Sequence, residues 1–175
     1  MTQIGPETLG RLFDEHAGAL VLFARQWCDA PEDVVQDAFV TLARQEAVPE
    51  RTVAWLYRVV RNGAIAAARQ SRRRRRRERR ASGPEANPGG SWFAATDDRI
   101  DAEHAARLLA ELDAETRAVI VARLWGGLTF EEVARLQGCS LTTAHRRYQA
   151  GLARLHARLE SPWTPTSPTA KSIPT

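Results

Sequence analysis

Apolar residues recur at spacings of three and four along two long stretches of this chain, residues 8–70 and about 97–160. This spacing places apolar side chains on one face of an α-helix, whereas a half-buried strand needs strict alternation. We therefore predict an all-α protein. The inward face predicted for its first helix consists of Leu9, Leu12, Phe13, Leu20, Phe23, Ala24 and Trp27.

The segment between the two periodic stretches has a different composition. Residues 81–96, "ASGPEANPGGSWFAAT", are rich in Gly, Pro, Ser and Ala, which is typical of a flexible linker. Residues 161–175 hold four prolines and little that could be buried, so we expect a disordered tail. The sequence therefore predicts two small helical domains, residues 1–80 and 97–160, joined by the linker.

Basic residues are concentrated in one segment. Eight of the nine residues 72–80 are arginine, whereas the rest of the chain has 17 basic and 20 acidic side chains. One basic block in an otherwise mildly acidic chain favours a single local contact with a polyanion, and such a contact weakens steeply with salt. The run directly follows the third helix, so we expect it to extend that helix. Because closely spaced positive charges repel, its end is expected to form on a bound anion.

The last third of the chain carries the signals of a helix-turn-helix. Asp113 can cap one helix, and Thr129 and Glu132 have the spacing of a capping box at the start of the next. Gly138 suits a left-handed helix end, and Ser140 can cap a final helix. A capped helix, a glycine turn and a second helix with a polar outer face are typical of the motif that inserts its second helix into the major groove.

The first half of that final helix carries side chains suited to DNA. Arginine can donate two hydrogen bonds to guanine, and threonine hydroxyls and helix-start amides suit phosphates or base edges. Leu141 and Ala144 are predicted to begin its inward face. The alternative is a surface helix with solvated arginines, which the preceding capped helix and turn disfavour. The candidate DNA-binding residues are Ser140, Thr142, Thr143, His145, Arg146 and Arg147.

With these motifs the chain resembles the extracytoplasmic-function sigma factors, small bacterial sigma-70 relatives that direct RNA polymerase to promoters. The segment "LDAETRAVIVARLWGGLTFEEVARLQGCSLTTAHRRYQAGLARL" is similar to their C-terminal region 4. "LFDEHAGALVLFARQW", "EDVVQDAFVTLAR" and "WLYRVVRNGAIAAAR" resemble, in order, successive parts of their N-terminal region 2. The resemblance covers most of residues 9–158 and implies a factor that directs promoter-specific initiation and helps to melt the promoter.

In that family the helix of "EDVVQDAF" docks on the clamp coiled coil of core RNA polymerase. The resemblance therefore implies polymerase contacts for Asp33, Gln36, Asp37 and Phe39. For Phe39, packing in the core is the favoured interpretation, whereas the three polar side chains gain nothing from a core.

The third helix resembles the part that grips the melted non-template strand at the minus-ten element. Trp55 and Tyr57 could stack on bases there, although core packing is favoured for both. The helix-turn-helix would read the minus-thirty-five element, where Ala144 and Arg146 depart from the family pattern and leave the target sequence open. The implied strand contacts are Arg58, Arg61, Asn62 and Arg69, and the run Arg72, Arg73, Arg74, Arg75, Arg76 and Arg77 would contact duplex phosphates.

An enzyme is the class that the sequence supports least. The four histidines show no metal-ligand spacing and no nucleophile or phosphate-loop motif is present, so no cofactor or metal is expected. Cys28 and Cys139 fit a reducing compartment, and no apolar run approaches the roughly 18 residues of a membrane span. We therefore expect a cytoplasmic, non-enzymatic protein.

The expected partners are core RNA polymerase and promoter DNA, and an anti-sigma factor is a candidate third partner. Free in solution, the two domains are expected to pack together and to bind promoter DNA poorly. Two alternatives remain open. A helix-turn-helix regulator that never touches polymerase would not need Asp33, Gln36 or Asp37. An arginine-rich RNA-binding protein would keep its affinity for RNA after deletion of residues 97–160.

Overall fold

The computed structural model of this chain describes residues 3–81 and 107–160, and their side chains over 3–77 and 107–158. All regular structure in these ranges is helical, which confirms the predicted all-α class. The linker beyond Ala81 and the tail at 161–175 lie outside the described residues. The helices are α1 (Pro6–Ala24), α2 (Pro31–Ala43), α3 (Thr52–Ala81), α4 (Ala114–Leu124), α5 (Phe130–Gln137) and α6 (Leu141–Glu160), and residues 107–110 are helical as well.

The first unit consists of α1, α2 and α3 packed around one aromatic and aliphatic core. The Phe23 ring lies edge-on to both the Trp27 and the Tyr57 rings, with centroids 4.8 and 4.9 Å away. Leu42 of α2 is almost fully buried against this cluster. Phe13 was predicted to be part of the inward face, and this is wrong. Its side chain is 44% exposed, because its ring packs only at the edge of the core. The centre of the ring lies 5.0 Å from the centre of the Phe39 ring.

The second unit consists of α4, α5 and α6, and its helix starts are fixed as the sequence predicted. Asp113 accepts a hydrogen bond from the backbone N–H of Thr116 at 2.9 Å. Burial alone would raise the pKa of Asp113, but the hydrogen bonds from Thr116 outweigh it and hold the pKa below its usual value. Thr129 and Glu132 form the reciprocal capping box, and Gly138 ends α5 with φ of 65°.

The middle of α4 is buried on every side, since Val119, Ile120 and Val121 have no exposed surface. Packing against α5 and α6 covers one part of α4, and α1 of the first unit covers another. A short α5 of eight residues then turns at Gly138 into the long α6. This arrangement is the predicted helix-turn-helix.

The two units pack against each other in the structure, as we expected for the free chain. The Nη2 atom of Arg51, before α3, lies 2.9 Å from each carboxylate oxygen of Glu132 on α5. Gly126 approaches the buried ring of Tyr57 so closely that an added Cβ would lie 2.7 Å from the ring. The contact therefore joins the start of α3 and the core of the first unit to the loop and helix that lead into the helix-turn-helix.

Candidate nucleic-acid interface

The solvent face of α2 is acidic and polar. Asp33, Gln36 and Asp37 are exposed, at spacings of three and four that place them on one side of the helix. Val40 continues the same side and is 41% exposed, and its spacing of three from Asp37 and four from Gln36 is the signal that places it there. The structure thus brings three of the four predicted polymerase contacts together and adds an apolar neighbour.

Phe39 does not belong to this surface. It is only 5% exposed and packs with the α2 core residues beneath the ring of Phe13. The favoured interpretation of Phe39 as a core residue is therefore confirmed, and its prediction as a surface contact is corrected. The reason is the helical period, because Phe39 shares its face with Val35 and Leu42.

The strand-contact residues predicted on α3 line a cleft between the two units. The cleft has a volume of about 520 Å³, and Arg58, Arg61 and Asn62 form part of its first-unit wall. Across from them lie Glu132 and Arg135 of α5. The predicted α3 surface is therefore present, but the second unit stands in front of it.

Arg69 is exposed and lies two helical turns beyond the cleft. It shares the helix with the cleft residues but contributes nothing to the cleft wall. Among the residues predicted for strand contact, Arg69 is thus the one that lies outside the cleft.

Arg61 is the most enclosed of the arginines predicted for strand contact. Its guanidinium carbon lies 5.9 Å from the centre of the Trp27 ring. Its Nε atom is buried and has no hydrogen-bond partner among the described residues. A buried donor without an acceptor is unfavourable, and a bound water, an ion or a ligand oxygen could satisfy it.

Trp55 and Tyr57 differ in their access to the cleft. Trp55 is half-buried and lines the cleft. Tyr57 is fully buried, and burial raises the pKa of its hydroxyl above the usual range. Core packing is thus the role of Tyr57, whereas the Trp55 ring remains available for stacking.

The predicted recognition helix, α6, turns only part of its candidate set toward solvent. Thr142, His145 and Arg146 are exposed on one side of the helix, and the His145 ring is tilted against Phe130 at 5.0 Å. Gln149 continues this exposed side one turn further on. A glutamine can read adenine through two hydrogen bonds, so its type and spacing could have identified it.

The remaining candidates of α6 are engaged within the protein. The Ser140 Oγ atom accepts a hydrogen bond from the Thr143 backbone at 3.1 Å and lies 2.8 Å from the Thr143 hydroxyl. Arg147 forms an ion pair with Glu115 of α4. The first residue, Leu141, was predicted to face inward, and this is wrong because it is 48% exposed at the helix start. Part of the candidate DNA-binding set is thus open to solvent, and the other part is bound by residues of the chain itself.

The arginine run continues α3, as predicted. All six side chains from Arg72 to Arg77 are exposed. The Arg75 guanidinium lies 2.7 Å from the carboxylate of Asp29, so part of the charge is compensated within the chain. The run therefore forms a charged helical extension beyond the core of the first unit.

Two further observations on the described residues concern membrane spans and metal sites. None of the described helices combines the length and the apolar character that crossing a bilayer requires. In the described ranges, no group of three or more His, Cys, Asp or Glu side chains could hold a metal ion.

Two solved structures share the fold of this chain. One is CnrH, solved in complex with the cytosolic domain of CnrY. It is 25% identical, with a TM-score of 0.55, and the alignment covers 91% of this chain and 92% of that one. The other is the sigma factor RpoE, solved in complex with the anti-sigma factor NepR from Bartonella quintana. It is 23% identical, with a TM-score of 0.62, and the coverage is 91% and 100%.

The sequence itself matches two family models. Sigma-70 region 2 matches residues 12–75 and Sigma-70 region 4 matches residues 104–155, so that together they cover more than half of the chain. No curated protein sequence matches at a significant level. The two matched regions coincide with the two helical units described above. The chain therefore belongs to the sigma-70 family and has the two-region organisation of its extracytoplasmic-function members: it is a sigma factor, a non-enzymatic, DNA-binding factor of transcription initiation.

Proposed function

We propose that this sigma factor binds core RNA polymerase through α2, holds the separated non-template strand of the minus-ten element on α3, and contacts the minus-thirty-five element with α6. One observation carries the proposal. The first unit presents an acidic face on α2 and an arginine-rich face on α3, and the second unit presents a separate polar recognition helix. Three chemically distinct surfaces suit three different contacts.

The α2 surface supports a protein contact. Asp33 and Asp37 lie one turn apart with Gln36 between them, and neither carboxylate forms an ion pair within the described part of the chain. Val40 adds an exposed apolar side chain at the edge. Exposed carboxylates beside an apolar residue are suited to a basic partner surface, because complementary charge guides association and the apolar contact stabilises it.

The α3 surface supports the capture of a melted strand. Arg58 and Asn62 are exposed one turn apart, and Trp55 lines the same cleft. Positive side chains hold phosphates, and an aromatic ring stacks on an unpaired base whatever its sequence. Holding the unpaired strand favours the open promoter, and this is the sense in which we propose that the chain helps melting.

The packing of the units suggests when these contacts form. In the structure α5 stands in front of the α3 surface, with Glu132 tied to Arg51. We infer that the free chain captures the strand poorly and that binding of polymerase separates the units. The linker then makes the second DNA contact effectively intramolecular, so neither contact needs to be tight alone.

An anti-sigma factor is a further proposed partner. The similar RpoE structure was solved with the anti-sigma factor NepR, and CnrH was solved with the cytosolic domain of CnrY. A partner that stabilises the packed units, or that covers α2, would keep this chain from polymerase by mass action.

The test is transcription from a promoter library by purified bacterial core polymerase, with and without this protein, read by sequencing transcript starts. We expect discrete starts that share two upstream motifs. Asp33→Ala combined with Asp37→Ala should lower the signal at least about tenfold, because two truncated interface contacts of this kind cost on the order of 2 kcal/mol or more together. The matched control, Asp14→Ala with Glu46→Ala, removes the same charge from exposed positions elsewhere.

Each alternative predicts a different outcome of this test. A regulator that does not bind polymerase would give no protein-dependent starts, even with folded protein and a cognate core. An RNA-binding protein would also give none, and its affinity for RNA would survive deletion of residues 97–160. Starts that are unchanged in the double variant would show that α2 is not the docking surface.

A further inference from the structure

We propose that the cleft between the two units is a binding site for a free nucleotide, and that a bound nucleotide holds the units together. The proposal rests on the proposed function in one respect, because Arg58, Arg61 and Asn62 also belong to the strand-contacting surface. It adds a ligand class and a means of regulation that the strand contact does not require.

The cleft has the size of a ligand site. Its volume of about 520 Å³ lies within the range of roughly 300–1,000 Å³ in which proteins bind cofactor-sized molecules. One wall comes from the loop before α3 and from α3 itself, and the other comes from α5. A molecule in this cleft would therefore touch both units at once.

The positive charge of the cleft lining favours an anionic ligand. Four arginines and one glutamate line the cleft, and the glutamate, Glu132, is already bound by Arg51 and by the Thr129 backbone. Within the described part of the chain, Arg58, Arg61 and Arg135 form no ion pair, and Arg135 donates one hydrogen bond, to the backbone oxygen of Glu131 at 3.3 Å. Arginine side chains converging on a partly enclosed space are typical of phosphate recognition.

The buried Nε atom of Arg61 points to the same ligand. It has no hydrogen-bond acceptor among the described residues, although the atom is shielded from water. Native structures leave few buried donors unsatisfied, and a bound water, an ion or a ligand oxygen is what satisfies such a donor in many of them. A phosphate oxygen in the cleft would supply the acceptor.

The rest of the lining favours a nucleotide over inorganic phosphate. Trp55 lines the cleft and is half-buried, so its ring can stack on a base while its other side stays packed. The Asn62 amide carries two N–H donors and one oxygen acceptor for the edge of a base. An aromatic ring, an amide and three arginines in one cleft match a base joined to a charged phosphate group.

The consequence is regulatory. A ligand that contacts Arg58 on one unit and Arg135 on the other binds only while the units are packed together. By linkage, the ligand shifts the population toward that arrangement and away from strand capture. The nucleotide would thus compete with the promoter strand for the same arginines.

The experiment measures the binding of ATP to the full-length chain by isothermal titration calorimetry, beside adenosine and inorganic triphosphate. We expect ATP to bind more tightly than either part, because only ATP joins the stacking and the phosphate contacts. Arg135→Gln should weaken ATP binding at least about tenfold, since one charged contact of 1.4 kcal/mol corresponds to that factor. Arg135 is exposed, so this variant is expected to fold.

The matched control is Arg76→Gln with Arg77→Gln in the exposed run, which removes more charge without touching the cleft. ATP binding should be unchanged in that variant. If the run variant loses ATP binding and Arg135→Gln keeps it, the anion binds to the run, and the proposal is overturned. Equal affinity for ATP and inorganic triphosphate would overturn the nucleotide class, and so would the absence of ATP binding.

A single strand carries the same base and phosphate chemistry, so a short single-stranded oligonucleotide is tested as well. Oligonucleotide binding that exceeds ATP binding and depends on Arg135 would identify the cleft as the strand site itself and would overturn the proposal. Transcription with core polymerase separates this result from the proposed function. Loss of ATP binding in Arg135→Gln with transcript starts retained supports the nucleotide site, whereas loss of starts in the Asp33 and Asp37 variant concerns docking alone.

Discussion

The two arginine-bearing helix faces that are proposed to contact DNA differ in what lies in front of them. On α3, Arg58 and Arg61 line a cleft whose opposite wall is α5 of the second unit. On α6, Arg146 faces solvent. Similar residue types thus give one surface that faces a cleft between the units and one that faces open solvent. The packing of the two units, and not the helices themselves, therefore determines how accessible these arginines are to DNA.

The contact that covers α3 is of moderate strength. Glu132 is 8% exposed, while its partner Arg51 is 64% exposed. A hydrogen-bonded pair that is partly in water contributes on the order of 1 kcal/mol, well below a fully buried one. This ion pair is therefore only a small part of the free energy that holds the units together, since α1 also packs against the buried helix α4.

The largest effect is expected on the open surface, from Arg146→Ala. A two-hydrogen-bond contact between arginine and guanine contributes about 1–3 kcal/mol of base discrimination. The variant should lose roughly five- to a hundredfold of its preference for the cognate minus-thirty-five sequence, measured as competition between cognate and mutated duplexes in the polymerase-bound state. Arg154→Ala on the same helix is the matched control, since Arg154 is exposed but lies beyond the first half of α6. An equal loss in both variants would mean that Arg146 contributes only charge.

An intermediate effect is expected from uncovering α3 with Arg51→Ala. Removing the partner of Glu132 weakens the packing of the units, so the free chain should bind a minus-ten single strand about five- to tenfold more tightly. Fluorescence anisotropy with a labelled oligonucleotide measures this. Arg11→Ala removes an exposed charge from α1 and should leave strand binding unchanged. Weaker binding in Arg51→Ala would instead place Arg51 among the strand contacts.

The smallest effect is expected from Glu115→Ala, which frees Arg147 on the open surface. The side chain of Glu115 is 64% exposed, and ion pairs of this kind contribute about 0–1 kcal/mol. Duplex affinity should therefore rise by about two- to threefold and depend more steeply on salt, because one more phosphate contact becomes available. The slope of affinity against salt concentration is the readout. An unchanged slope would show that Arg147 stays away from DNA.

Much of the fold could be predicted from the sequence, because local chemistry determines it. The caps at Asp113 and Thr129 and the glycine end at Gly138 each depend on residues a few positions apart. The same holds for the acidic face of α2, which follows from the helical period alone. These features were predicted at their correct residues.

The errors and omissions concern contacts between distant parts of the chain. Phe13 and Leu141 fit their helical faces, yet both are exposed, Phe13 at the edge of the core beside Phe39 and Leu141 at the first position of α6. The pairing of Arg51 with Glu132 spans 81 positions, and that of Glu115 with Arg147 spans 32. Periodicity carries no information on such pairs, so the cleft in front of α3 could not be predicted.

The most direct test of the account compares the binding of a minus-ten single strand by the free chain and by the same chain bound to core polymerase. The strand should carry the element found by start mapping, and core polymerase alone is the control for its own affinity. The complex is expected to bind at least about tenfold more tightly, because polymerase separates α5 from α3 and opens the cleft that Arg58, Arg61 and Asn62 line. Equal affinity in the two states would contradict it, since the α3 surface would then be open in the free chain.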